Sequence, residues 1–206
     1  MKENNFTEKE SLELISQMIQ QSRKNMEVGS GNILLYYGYP AFILAVAVYL
    51  LVHFTHDATW SALWFLMFLP SIPIGLAKRK SRPKVISHVD KAIGNTWGVI
   101  GWLFLFSLLC IVAFGPAIGS CYFSLMLPLS LLYASIGISL TGIMCSFKLL
   151  IYTPLVGFVV ANYMLVLLIG DGSVPDWWNL LFGFSFLIMM IIPGHVLNHK
   201  IKTEVC

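Results

Sequence analysis

The stretch AKRKSRPKVISHVDKAIGNTWGVIGWLFLFSLLC, residues 77–110, decides the fold because a dense basic run passes directly into an uncharged apolar one. Six Lys or Arg fall within Ala77–Ile93, whereas 93–114 contains no Asp, Glu, Lys or Arg. A helix needs about 20 mainly apolar residues to cross about 30 Å of hydrocarbon. The pattern therefore predicts a membrane-spanning helix that begins at a basic surface.

The composition of the whole chain supports a membrane protein. It is 57% hydrophobic and 11% charged, with a mean hydropathy of +0.78, whereas soluble domains average about 25% charged residues. The net charge of +3 is small and its basic residues are confined to a few segments. A nucleic-acid-binding domain, which needs a basic stripe on a folded soluble face, is therefore excluded.

We predict an all-α, polytopic membrane protein with six transmembrane helices in three hairpins and an N-terminal amphipathic cytoplasmic helix. Residues 1–32 would form the cytoplasmic helix, 33–197 the transmembrane domain and 198–206 a cytoplasmic tail. No predicted span has a charged residue in its apolar interior, so each can lie in lipid with its backbone hydrogen bonds closed internally. The six spans are about 33–52, 60–77, 93–114, 121–141, 149–169 and 178–197.

Orientation follows from the basic residues, because cytoplasmic loops collect Lys and Arg. All thirteen fall in the terminal segments and the second and fourth connections, while the other connections carry only Asp57, Asp171 and Asp176. The protein is therefore expected in a bacterial inner membrane, with both termini in the cytoplasm. A tyrosine belt at the cytoplasmic ends agrees with this orientation, and it contains Tyr36, Tyr37, Tyr39 and Tyr152. Anionic lipids at that face are expected to contact the basic connection, through Lys78, Arg79, Lys80, Arg82 and Lys84.

The first thirty residues read as one amphipathic helix. Thr7 and Glu10 form a capping box, and Gly29 stands where the helix should end. Its apolar side could lie on the bundle or on lipid headgroups. It could also dock on a partner protein or on a second copy of the chain. The apolar side carries Leu12, Ile15, Met18, Ile19 and Met26.

Small residues recur at the spacing that lets helix backbones approach closely in a membrane. We expect these residues to pack helices within one chain or, alternatively, at a homodimer face. The residues are Ala41, Ala45, Gly94, Gly98, Gly157 and Ala161.

Polar groups inside the spans are few and uncharged, so no proton relay is expected. Asn162, in the fifth span, could contact a ligand or form an interhelical hydrogen bond. Two Pro-Gly breaks, at Pro73 and Pro193, should kink the second and sixth spans near the cytoplasmic face, and they join His195 as tentative ligand or lipid contacts.

No catalytic, cofactor or metal site is predicted. The motif HVLNH, residues 195–199, lacks the Glu that zinc proteases use. Ser185 and His195 stand ten residues apart on one helix, about 15 Å, and cannot share a proton. Cys110 and Cys121 could form a disulfide across their short connection or remain packing residues.

Two stretches carry a resemblance to a known group: SIGISLTGIMCSFKLLIYTPLVG, Ser135 to Gly157, and IIPGHVL, Ile191 to Leu197. The chain resembles a family of uncharacterised bacterial six-transmembrane-helix proteins with a short N-terminal cytoplasmic helix. The resemblance implies the architecture and no activity. AFILAVA, Ala41 to Ala47, is also similar to the partner-contacting first helix of the substrate-binding subunits of vitamin transporters, which enclose their ligand in longer outer loops than this chain has.

Two functional hypotheses follow. The first is a non-enzymatic inner-membrane protein that acts as anchor, sensor or scaffold for a cytoplasmic partner. Almost all polar segments outside the membrane are predicted on the cytoplasmic side. The second is a small-molecule or lipid transporter, or its binding subunit, with a site between the second, fifth and sixth spans.

Overall fold

The structure, a computed structural model, describes residues 8–69, 88–119, 122–171 and 174–205. These residues are almost entirely helical and contain no strand. They include five helices that are long and apolar enough to cross a membrane, which is the character of a helical membrane protein. The five candidate spans are Asn32–Thr55, Lys91–Ala117, Phe123–Met144, Lys148–Gly170 and Trp178–His199.

The first helix, α1, spans Glu8–Thr55 as one unbroken helix of 48 residues. The prediction that a separate cytoplasmic helix ends near Gly29 is therefore wrong. A glycine costs a helix only about 1 kcal/mol relative to alanine, and the apolar span that follows continues the same helix. Pro40 also lies inside α1, in the apolar part where membrane helices accommodate proline.

The predicted second span, 60–77, differs most from expectation. Its first part is a 3-10 helix, Ala58–Phe68, of 11 residues. At about 2.0 Å per residue it covers roughly 22 Å, less than the hydrocarbon thickness. The rest of the predicted span, with Pro73 and the basic connection, lies outside the described residues. Six spans are therefore not established.

Helix α2, His88–Ile118, packs on helix α3, Met126–Met144, and the two are joined through one 3-10 turn, Phe123–Leu125. Two side-chain hydrogen bonds link them. The Trp97 indole donates to Thr141 Oγ1 at 3.2 Å, and the hydroxyls of Ser107 and Tyr133 lie 2.6 Å apart. These bonds fix α2 at the edge of the bundle.

The chain then turns back through Ser146, whose φ of 54° is left-handed, into the short helix α4, Lys148–Tyr152. Helix α5, Pro154–Asp171, follows and runs along α3. Gly142 allows α4 to lie directly on α3, since a Cβ there would be 2.7 Å from the carbonyl carbon of Leu150.

The last span is a composite of three helical segments. It begins with α6, Trp178–Phe186, passes through a π-helical turn, Leu187–Ile191, and ends as α7, Ile192–Val205. It runs antiparallel to α1, because Asn198 bonds to Asn32 at one end and Asp176 lies near His53 at the other. We name the end with Asn32 and Asn198 the terminal face, and the end with Asp57 and Asp176 the loop face.

Packing contacts order the helices as α1, α6–α7, α5, α3 and α2, with the 3-10 helix also against α1. The core lies where α1, the last span, α3 and α5 meet. On α1 it follows a spacing of three and four residues, typical of helix packing, at Leu34, Gly38, Ala41, Ala45 and Val48. Its largest fully buried side chains are Trp178, Leu131, Ile138, Leu150, Met164 and Met189.

Candidate functional site

A tyrosine and a histidine from opposite ends of the chain meet on the outer surface of the bundle. The hydroxyl of Tyr39, on α1, lies 2.6 Å from Nε2 of His195, on α7. The two rings are edge to face, with centroids 6.0 Å apart. Both side chains are exposed. Two helices thus present one hydrogen-bonded aromatic pair to the surroundings of the protein.

The π-helical turn sets the direction in which His195 points. A π turn holds one residue more than an α turn, and one residue corresponds to about 100° of rotation in an α-helix. It ends two residues before Pro193, which has no N–H to donate to the carbonyl of Met189. The helical register therefore changes just before α7 brings its histidine to α1.

Gly38 is the reason that α1 and the π turn can come so close. A Cβ at this position would lie 2.9 Å from Cγ1 of Ile191 and 3.2 Å from Cβ of Met190. Real Cβ atoms essentially never approach within 3.0 Å, so only glycine fits here without a shift of the neighbour. Gly38 precedes Tyr39, and the close contact therefore holds the tyrosine beside its histidine.

A second polar contact lies nearer the terminal face. The side-chain amide of Asn198 donates to Oδ1 of Asn32 at 2.9 Å. We call the four residues Asn32, Tyr39, His195 and Asn198 the polar seam. His199 is exposed one turn beyond His195. The seam thus joins α1 to α7 by two hydrogen bonds. In each bond the two partner residues are more than 150 positions apart in the sequence.

The structure disperses the other tentative ligand contacts. Asn162 is exposed, and its amide donates to the carbonyl of Phe158, on its own helix, at 2.8 Å. Pro193 is fully buried within the last span. Pro73 lies outside the described residues, as do the basic residues expected at anionic lipid, Lys78, Arg79, Lys80, Arg82 and Lys84. Asn162 therefore does not meet His195 in a shared site.

The predicted helix-packing residues divide into two groups. Ala41, Ala45, Gly157 and Ala161 are buried, and an added Cβ at Gly157 would meet Sδ of Met189. Gly94 and Gly98 are exposed, and a Cβ at either would meet nothing within 4 Å. Gly94 and Gly98 therefore make no close helix contact within the described part of the chain.

The loop face carries acidic and imidazole side chains. Nδ1 of His53 lies 3.5 Å from Oδ2 of Asp176, and the His53 ring is stacked on Tyr49 with centroids 5.5 Å apart. The carboxylate of Asp57 accepts a hydrogen bond from the backbone N–H of Thr59 at 2.9 Å. That bond, with the Thr59 hydroxyl, holds the pKa of Asp57 below its ordinary value.

The remaining candidate residues from the sequence are placed separately by the structure. No group of three or more His, Cys, Asp or Glu side chains there is arranged to hold a metal ion. The hydroxyl of Ser185 donates to the carbonyl of Leu181 at 2.8 Å, within its own helix. Cys121 lies outside the described residues, so a bond to Cys110 is not tested.

Sequence reasoning missed several side chains that the structure brings together. Tyr39 was placed only in an aromatic belt, and the partner of His195 was not predicted. Near the loop face, the Trp64 indole donates to Oδ1 of Asn179 at 3.1 Å. Beside it, Trp178 is fully buried and its indole nitrogen has no hydrogen-bond partner among the described residues. The only sequence signal for these contacts was the presence of a polar side chain within an apolar span.

The fold and the site together define a class: an all-helical chain, with five helices able to cross a membrane and a polar seam on its outer surface. A scan against protein-family models finds no match, and searches of curated proteins and of solved structures return no similar protein. The function is therefore argued from the geometry of this chain.

Proposed function

We propose that the protein is a membrane-anchored scaffold that presents the amino-terminal half of α1 to a cytoplasmic protein partner. The observation that carries the proposal is the continuity of α1. The candidate span Asn32–Thr55 takes 24 of its 48 residues, and the other half precedes the span on the same helix. At about 1.5 Å per residue, that half extends roughly 36 Å beyond the span.

Because α1 is unbroken, its amino-terminal half forms a rigid extension of the span, which we call the arm. A helix that continues from a packed membrane span cannot rotate freely about a hinge, so its faces keep a fixed relation to the bundle. In a regular helix with about 100° per residue, Leu12, Ile15 and Ile19 fall on one side. Leu12 is 67% exposed. An amphipathic helix of this kind lays its apolar side into a groove on a partner protein.

The sequence supports a cytoplasmic location for this arm. Lys2, Lys9, Arg23 and Lys24 precede the first span, and Lys200 and Lys202 follow the last one. Because α1 and α7 are antiparallel, the helical segments that carry Lys9, Arg23, Lys24, Lys200 and Lys202 extend from the terminal face. Basic segments next to membrane spans are retained in the cytoplasm, so this face is assigned to the inner side.

Site-specific photocrosslinking of the full-length chain in intact membranes tests the proposal. A benzoylphenylalanine probe would replace Leu12 or Ile19 on the apolar side, and Gln17 or Gln21 on the opposite side as matched controls. All four positions lie on the same helix, and the Gln17 control falls between the two probe positions. We expect discrete protein adducts from the Leu12 and Ile19 probes and none from the two controls.

Three results would overturn the proposal. Adducts only to lipid from Leu12 and Ile19 would mean that the helix lies on the headgroups. Adducts only between two copies of the chain would make it a dimerisation helix instead. Equal adducts from both sides would show that no face is selected.

A further inference from the structure

The Tyr39 and His195 pair has one polar hydrogen that the protein does not use. A neutral imidazole carries one N–H and a phenol carries one O–H. The hydrogen bond of 2.6 Å between Nε2 and the hydroxyl takes one of them, whichever tautomer is present. Among the residues that the structure describes, neither side chain makes a second hydrogen bond. One donor is therefore available to an acceptor outside the chain.

Tyr39 and His195 both lie inside candidate spans, Asn32–Thr55 and Trp178–His199, toward the terminal-face end of each. Tyr39 is seven residues from Asn32, about 10 Å along the helix axis. Side chains on a helix lean toward its N-terminus, which carries the tyrosine hydroxyl back toward the terminal face. Hydrocarbon offers no acceptor for the remaining donor, and an unsatisfied polar group there is costly.

The surface around the pair changes from polar to apolar along the bundle. Toward the terminal face lie the Asn32–Asn198 bond and exposed His199. On the other side of the pair, Ile43 on α1 is 63% exposed and Ile192 on α7 is 44% exposed. A molecule that follows this surface needs polar oxygen atoms at one end and a hydrocarbon chain at the other.

We propose that Tyr39 and His195 form a binding site for a glycerophospholipid. The donor left over from the pair bonds to a phosphate or ester oxygen of the lipid, and an acyl chain lies against Ile43 and Ile192. Hydrogen bonds to an anionic oxygen are stronger than those between neutral groups, so a phosphate is the preferred acceptor. The site does not depend on the proposed scaffold function.

Titration of the purified, delipidated protein with phosphatidylglycerol, followed by native mass spectrometry, tests the site. Tyr39→Phe/His195→Phe removes both donors and keeps two rings. Loss of one charge-assisted hydrogen bond corresponds to about tenfold weaker binding. We expect that loss for the tightest phosphatidylglycerol site of the double variant. Each single variant retains one donor but loses the hydrogen bond that orients it, so its affinity should fall between those of the double variant and the unaltered chain.

Tyr49→Phe/His53→Phe is the matched control, since it replaces the same two residue types in a stacked ring pair near the loop end of α1. It should bind phosphatidylglycerol like the unaltered chain. Thermal unfolding in the same detergent checks that each double variant is folded. Unchanged affinity in folded Tyr39→Phe/His195→Phe, or an equal loss in the control, would overturn the proposal.

Discussion

The last span and α2 are both long apolar helices, but they differ sharply in how the protein covers them. In the last span, Trp178–His199, 56% of the residues in the most apolar window are buried, against 6% in Lys91–Ala117 of α2. Both contain glycine residues. Gly183 meets Ala45, since an added Cβ would lie 2.5 Å from the alanine Cβ, whereas Gly98 meets nothing within 4 Å.

The comparison distinguishes the capacity of a helix for close packing from the presence of a helix that packs against it, which the sequence alone does not distinguish. A glycine gives a helix the capacity for close approach, but the opposite helix decides whether the capacity is used. In the last span Gly183 uses it against Ala45 of α1, whereas Gly98 of α2 does not use it within the described chain. We call the core formed by α1, the last span, α3 and α5 the covered part. Paired substitutions, one in the covered part and one on α2, test this difference directly.

The largest effect is expected for Gly142→Leu in the covered part. The new Cβ would be 2.7 Å from the carbonyl carbon of Leu150 and 2.8 Å from the nitrogen of Ile151. Main-chain atoms cannot move aside as a flexible side chain can, so the cost should exceed the usual overpacking penalty of about 1–3 kcal/mol. We expect little folded protein in size-exclusion chromatography after detergent extraction.

Gly98→Leu on α2 is the matched control, because its new side chain enters open space. It should fold with a thermal midpoint close to that of the unaltered chain. If Gly98→Leu were as damaging as Gly142→Leu, the glycines of α2 would be covered in the membrane, for instance by a second copy of the chain.

The second largest effect is expected for Met189→Ala, which creates a cavity in the core. Met189 is fully buried, and its sulfur lies 3.3 Å from the hydroxyl of Ser135. Met189→Ala leaves space among α3, α5 and the π turn, and buried methionine-to-alanine changes cost about 2–5 kcal/mol. Leu105→Ala on α2, where the leucine is 46% exposed, should cost much less. Thermal unfolding of both variants in one detergent gives the comparison, and equal losses would contradict it.

A smaller effect concerns the attachment of α2. Trp97→Phe removes the indole donor to Thr141 Oγ1 and keeps an aromatic ring. Hydrogen bonds between membrane helices contribute about 0.6 kcal/mol on average. Trp102, which is 62% exposed on the same helix, supplies the control Trp102→Phe. A double-mutant cycle with Thr141→Val isolates the bond, and a coupling energy of zero would show that α2 is held by packing alone.

The sequence predicted the spans well because apolar length has one strong physical meaning in a membrane. Five of the six predicted segments are long apolar helices. The end of the first helix at Gly29 was predicted wrongly, since a glycine weakens a helix without ending it when an apolar helix follows. The 3-10 form of Ala58–Phe68 was not foreseen, because its apolar composition fits any helix type equally.

The polar seam was predictable only in part. His195 was named as a tentative ligand or lipid contact, but its contact with Tyr39 depends on the register of the last helix. That register includes a π turn, which a regular period of 3.6 residues does not contain. Asn162 illustrates the converse, because its polarity predicted a ligand contact or an interhelical hydrogen bond, whereas its side chain is exposed and bonds within its own helix.

The smallest effect is expected at the edge of the covered part, where Asp57 caps the 3-10 helix that packs on α1. Its pKa is lowered by the N–H and hydroxyl of Thr59. A carboxyl with a lowered folded-state pKa stabilises the fold above its unfolded pKa, and this contribution is lost as the pH falls through the folded-state value. Amide hydrogen exchange of 58–68 should therefore quicken below about pH 4. Asp57→Asn keeps a capping oxygen without the titration, so its exchange should lack this acid-dependent step, and an identical acid dependence in the variant would rule out Asp57 as the cause.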